Sequence, residues 1–133
     1  MIAIDTNVLL RFAVRDDDAQ AAAAERLFVR ARREQAQLFV ADVVLCEFVW
    51  VLASRYKQTR RQIAHALMAV TETDVIAVAA GDEVESAIRA FEAGEGDFAD
   101  YLIRERARAG GADEVATFDR SLRGEGGFRV LGG

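Results

Sequence analysis

The chain opens Met1-Ile2-Ala3-Ile4-Asp5-Thr6-Asn7-Val8-Leu9-Leu10-Arg11, and these eleven residues set the pattern for the rest. Residues 1–4 are an unbroken apolar run and predict a short buried strand ending at Asp5. Asn7 to about Val14 reads as a short helix. The order is strand, acid, helix, and it returns downstream. Leu38-Phe39-Val40 is a second strand, after which Asp42 caps a helix to about Tyr56. Residues 75–78 are a third strand, followed by a helix over 82–93. Residues 114–117 and 128–131 complete the set. Between the first two strands lies an alanine-rich helix former, with Asp16-Asp17-Asp18 as its cap and first-turn charge. Further helices cover about 59–72 and, after Gly94 and Gly96, about 97–109. Strands that are apolar throughout belong to a parallel sheet covered on both faces. With right-handed crossovers, this predicts a three-layer α/β/α sandwich around a parallel sheet of about five strands. A length of 133 residues makes 1–133 a single domain.

Composition narrows the chemistry. Apolar residues make up 52% of the chain, enough for a core. Acids outnumber bases 22 to 17, a formal charge of −5, which argues against a basic coat on nucleic acid. His65 is the only histidine and Cys46 the only cysteine. An internal disulfide, Cys₄ and Cys₂His₂ zinc sites, a His₃ metal site and a histidine pair are thereby excluded. His65 reads as an ordinary helix residue, and Cys46, inside Val43-Val44-Leu45-Cys46, as a buried reduced thiol. The N-terminus lacks the basic start of a secretory signal, and no apolar run reaches the ~20 residues of a membrane span. The expectation is a cytoplasmic protein with no membrane partner. Any catalysis rests on carboxylates.

Four acids stand out. Asp5 and Asp119 each follow a strand, at the edge where α/β folds bind ligands. Each also suits a helix N-cap. Glu47 is the only charged residue in VVLCEFVWVLA, 43–53, and its neighbours three and four positions away are all apolar. A buried carboxylate there needs a distant partner, a proton or a metal. Asp97 and Asp100 share one face of a helix start, where Asp100 also has Arg104 within reach at i+4. Close ionised carboxylates require a cation. Hard oxygen ligands suit Mg²⁺ or Mn²⁺, which polarise a phosphoryl oxygen and activate water for in-line attack.

These residues are also where the chain resembles a known family. IDTNVLLR at 4–11 resembles the opening motif of PIN-domain ribonucleases, and Glu47 is placed like the family's second acid. DFADYLI at 97–103 resembles the third motif, with Asp100 as its acid, and ATFDR at 116–120 the fourth. The match covers essentially the whole chain and is similar in particular to the VapC-type toxins of bacterial toxin–antitoxin pairs. The resemblance implies a PIN-like fold and Mg²⁺- or Mn²⁺-dependent cleavage of RNA. It assigns Asp5, Glu47, Asp100 and Asp119 as catalytic metal ligands, with Asp97 as an alternative ligand and Asn7 and Thr117 as groups that orient them. Water attacks the phosphodiester, leaving a 5′-phosphate and a 3′-hydroxyl. A homodimer and a neutralising antitoxin are implied as partners, with part of the apolar helix around Trp50 as a candidate surface for either.

RNA has to be attracted to an acidic chain. Arg55, Lys57, Arg60 and Arg61 cluster around Tyr56, while Arg11, Arg15 and Arg120 flank the proposed acids. Phosphate contact is one reading of these bases; a solvated turn is the other for the 55–61 cluster. Other strand-end acid enzymes fit less well. A haloacid-dehalogenase-like phosphatase needs an acid at position 7, which is Asn. A receiver domain needs a late lysine, and the only lysine is Lys57. A PIN-fold interaction module without activity is the non-enzymatic alternative.

Overall fold

A computed structural model describes residues 1–132; Gly133, the last residue of the expected domain, lies outside the described residues. The chain divides into two compact units, the first Met1–Gly81 and the second starting at Asp82. Both are mixed α/β, with helices flanking parallel strands, as the sequence leads one to expect.

The first unit carries β1 (Ile2–Ala3), α1 (Thr6–Ala13), α2 (Asp18–Arg33), β2 (Leu38–Val40), α3 (Asp42–Ser54), α4 (Arg60–Thr71) and β3 (Ile76–Val78). The strands form one parallel sheet in the order β1-β2-β3, with Ile2 opposite Leu38 and Leu38 opposite Ile76. Leu38 and Val40 point into the core, but β1 departs from the expected buried strand. Ile2 and Ala3 are exposed, and burial begins at Ile4. β1 is only two residues long and, within this sheet, bonds β2 on one side alone.

The alanine-rich helix packs through small side chains. Ala21, Ala24, Phe28 and Ala31 are buried at helical spacing, and the Phe28 ring stacks on Phe12 of α1 at 5.5 Å. Asp17 is its N-cap, accepting from the Gln20 amide at 3.0 Å. Asp16 has a different task. It pairs with Arg11, and the Tyr56 hydroxyl donates to its other oxygen at 2.5 Å. The Arg11 side chain is only 7% exposed, so this group ties α1, the loop before α2 and the end of α3 together. Tyr56 and Arg11 hold the Asp16 carboxyl below its ordinary range.

Helix α3 is apolar on nearly every side, which hides its orientation from sequence. Leu45, Phe48 and Leu52 face the core; Val43, Glu47 and Trp50 lie on the opposite, exposed face. Ala41, not Asp42, occupies its N-cap, and Asp42 is the first helical residue. Cys46 is half-buried, with its thiol pushed up by burial and then by Asp42.

The second unit carries α5 (Gly81–Ala93) from its second residue on, α6 (Phe98–Ala109), β4 (Val115–Thr117), a 3₁₀ turn (Arg120–Leu122) and β5 (Phe128–Val130). Strands β4 and β5 pair in parallel, with Val115 opposite Phe128 and Thr117 opposite Val130. The core holds Val84, Ile88 and Phe91 of α5, Phe98, Tyr101 and Leu102 of α6, and Leu122 of the turn. All five expected strands therefore form, three in one parallel sheet and two in the other.

The α3 assignment is tested by a contrast within one helix. Phe48→Ala should cost about 3–5 kcal/mol in urea unfolding, by removing a fully buried ring. Trp50→Ala, at a position 68% exposed, should stay within about 0.5 kcal/mol of the parent.

Candidate active site

In the first unit, Asp5 caps α1: its Oδ1 accepts from the Val8 amide at 3.1 Å, leaving Oδ2 uncommitted. Asp5, Asn7, Val8 and Arg11 form one wall of a cleft of about 340 Å³, and Gln20, Ala23, Ala24 and Leu27 of α2 form the other. Asp5 and Asn7 are exposed to it. Arg11 is not a free cation, because its guanidinium is taken up by Asp16 and Tyr56. Burial acts to discharge it, but hydrogen bonds to Tyr56 and Asp16 outweigh that and raise its pKa.

Glu47 corrects the expectation of a buried acid. It is exposed, between exposed Val43 and Trp50 along the outer face of α3. Its lack of charged helical neighbours reflects an apolar outer face, not a core. The described residues lining the Asp5 cleft do not include Glu47.

The other bases of this unit are on the surface. Arg15 lies 3.8 Å from Glu25. Arg55 ends α3, with its guanidinium 5.8 Å from the Tyr56 ring centre. Lys57 takes a left-handed backbone, φ 53°, in the turn to α4. Thr59 and Gln62 cap α4 reciprocally, so Arg60 and Arg61 sit in its first turn. Cations there oppose the helix dipole.

The second unit gathers the strongest acidic group. Asp97 precedes α6, and Asp100 Oδ2 accepts from the Asp97 amide at 3.0 Å, leaving Oδ1 uncommitted. Asp119 caps the 3₁₀ turn through Oδ1, which accepts from the Ser121 amide at 2.9 Å and its hydroxyl at 2.7 Å. The Asp119 amide in turn donates to the Thr117 hydroxyl oxygen at 3.0 Å. These bonds hold the Asp119 carboxyl below its ordinary range. Asp100 moves the opposite way. Partial burial and then the charges of Asp97, Asp119 and Glu125 push it up, against the hydrogen bond from the Asp97 amide. Arg104 does not relieve it. That side chain pairs with Glu105 at 3.0 Å, donates to the Gly126 carbonyl at 2.9 Å and lies over the Tyr101 and Phe128 rings.

Glu125 escaped the sequence reading, because it sits in the glycine-rich stretch 124–127 with no motif around it. It is fixed by Tyr101. That fully buried ring carries a hydroxyl that accepts from the Gly96 amide at 2.9 Å and donates to the Glu125 carboxylate at 2.6 Å. A methyl group at Gly94 would overlap this hydroxyl, and one at Gly96 would meet Leu122 at 2.6 Å. The two glycines are there because the loop runs directly over the Tyr101–Glu125 pair. Ser121 was likewise missed; a serine two residues after an acid at a turn is the signal that finds it.

The family model described as PIN domain matches residues 2–124. The chain belongs to the PIN domain family. It is also 27% identical over 120 residues to a VapC ribonuclease of Aquifex aeolicus (strain VF5), covering 90% of this chain and 88% of that protein. PIN domains generally use divalent metal ions, and the donor chemistry fits one. Asp100 and Asp119 each keep a free carboxylate oxygen, and the charges around Asp100 raise the cost of ionising it without a cation. Among the described residues, no three His, Cys, Asp or Glu side chains form a ready-made cage.

Two outcomes follow from this geometry. A raised native pKa for Asp100 is a penalty borne by the folded state at neutral pH and relieved as pH falls through the carboxylate range. Asp100→Asn should therefore raise Tm at pH 7, with the gain shrinking toward acid pH; a gain independent of pH would point to packing instead. Tyr101→Phe should cost about 1–3 kcal/mol in urea unfolding, because Gly96 loses its acceptor and Glu125 its donor.

Proposed function

We propose that residues 1–133 work as a single PIN domain whose activity is metal-dependent endoribonucleolysis, in the manner of a VapC toxin. The observation that carries this reading is the group around Asp100, a half-buried carboxylate fixed by the Asp97 amide, with Asp97, Asp119 and Glu125 near enough to act on it and no basic partner among the described residues. Membership of the PIN domain family and the likeness to a VapC ribonuclease support the same conclusion.

Asp5, Glu47, Asp100 and Asp119 are the residues proposed to hold Mg²⁺, or Mn²⁺ in its place. When bound, such an ion would polarise a phosphodiester oxygen and lower the pKa of water. The protein's own contribution is placement. Ser121 aims the Asp119 carboxylate, and the Thr117 hydroxyl holds the Asp119 amide. The Asp97 amide aims that of Asp100, so Asp97 serves through its backbone as well as its charge. Asn7 stands beside Asp5 in the cleft and is suited to orient substrate or water there. Arg15, Arg55, Lys57, Arg60, Arg61 and Arg120 are proposed to contact phosphates. Exposed Val43 and Trp50 offer an apolar surface for a protein partner, either a second copy in a homodimer or a cognate antitoxin. The proposed setting is the cytoplasm; among the described residues no helix is long and apolar enough to cross a membrane.

Purified protein free of partners should cleave single-stranded RNA with Mg²⁺ or Mn²⁺ and stop on addition of EDTA. Asp5→Asn and Asp100→Asn should each lower kcat about 100-fold or more, with folding intact by circular dichroism. Full cleavage by both variants would remove the metal-site assignment. Replacing Arg60 and Arg61 by Ala should flatten the salt dependence of RNA binding by about 0.7 per lost phosphate contact.

A further inference from the structure

We propose that Phe118 is a stacking platform for one unpaired nucleobase of the RNA, adjacent to the phosphodiester handled at Asp119. The proposal rests on the ribonuclease reading and adds to it a residue that grips the substrate.

Phe118 is 77% exposed, more than any other aromatic residue described, Trp50 included. It continues a face of the β4–β5 pair that is exposed among the described residues. Along the two strands the half-buried residues are Val115, Thr117, Phe128 and Val130, whereas Ala116 and Arg129 between them are exposed. Phe118 and Leu131 extend the exposed face beyond the strand ends. Parallel strands are ordinarily covered on both sides, and here the described residues leave one side open.

The chemistry around the ring selects the ligand. The apolar surface is narrow, because Arg129, paired with Glu114, interrupts it. A helix or strand of another protein needs a broader apolar strip. A single flat ring is what one base needs. Arg120 and Arg123 follow within five residues, both exposed and without a carboxylate partner among the described residues. A ring beside free guanidinium groups matches the base–phosphate alternation of a single strand. Gly132 passes beside the ring and adds no side chain that would cover its face.

The placement relative to Asp119 is set by the backbone. Consecutive Cα atoms are about 3.8 Å apart, and successive side chains of an extended segment leave on opposite sides. A strand of RNA crossing the end of β4 would thus present a phosphate to Asp119 and turn a neighbouring base over the chain onto Phe118. A base engaged in a duplex cannot do this. The ring therefore favours unpaired RNA without choosing strongly among bases.

The test measures binding and cleavage separately. A single-stranded oligoribonucleotide carrying 2-aminopurine is titrated with protein in Ca²⁺ buffer, and in parallel cut with Mn²⁺. Phe118→Ala should weaken binding about tenfold and abolish the stacking quench of 2-aminopurine. It should raise KM while leaving kcat within about twofold. Phe118→Tyr should restore both. A substrate lacking the base next to the cut should lose as much with the parent as Phe118→Ala loses with intact RNA, and the two losses should not add. Parent-like binding and KM in Phe118→Ala, with the parent active, would overturn the platform and leave the ribonuclease reading standing. So would a change confined to self-association in sedimentation, which would assign the face to a protein contact. If the parent neither binds nor cuts the RNA, the ribonuclease reading fails and takes the platform with it.

Discussion

Like charges do not gather unless something holds them, and this constraint organises the second unit. Burial pushes the Asp100 carboxyl up, and Asp97, Asp119 and Glu125 all lie close enough to add to that. Asp119, Glu125 and Asp100 are each held by a neutral donor. Ser121 holds Asp119, the Tyr101 hydroxyl holds Glu125, and the Asp97 amide holds Asp100 itself. Hydrogen bonds of this kind fix a carboxylate's position without cancelling its charge. Arginine would have cancelled it, and the nearest one on the helix, Arg104, is diverted to Glu105, Gly126 and two aromatic rings.

The first unit solves the opposite problem. Arg11 is almost fully buried, and a buried guanidinium without partners is costly. Asp16 and Tyr56 supply those partners from two different parts of the chain. The group ties the end of α3 to the loop ahead of α2. Arg11, the buried member of this group, also lines the cleft containing Asp5 and Asn7. Arg55 and Lys57 flank Tyr56 in the sequence, so the brace also anchors the start of the basic cluster that continues to Arg60 and Arg61.

The negative net charge takes on a different meaning in this light. A formal charge of −5 speaks against a protein that coats nucleic acid. It is compatible with a chain that concentrates acids at one place and leaves arginines at others. Arg120 and Arg123 sit within a few residues of Asp119, so acid and base are neighbours along the chain. Total charge averages over both and describes neither.

The sequence by itself determined what depends on neighbours along the chain. Short apolar runs separated by helix formers settle the five strands and the parallel pairing, because strands and crossover helices alternate. Asp5, Asp17 and Asp119 could be read as caps, since a cap needs only the next three amides. Glu47 shows where that reading ends. An α-helix that is apolar on almost every side has no pattern to reveal which face is inside, and only packing placed Leu45, Phe48 and Leu52 inward and Glu47 outward. Glu125 and Arg11 show the same limit. One meets its partner Tyr101 across 24 residues, and the other meets Tyr56 across 45. No local spacing encodes those distances. They follow from loop closure and core packing, which are properties of the folded chain.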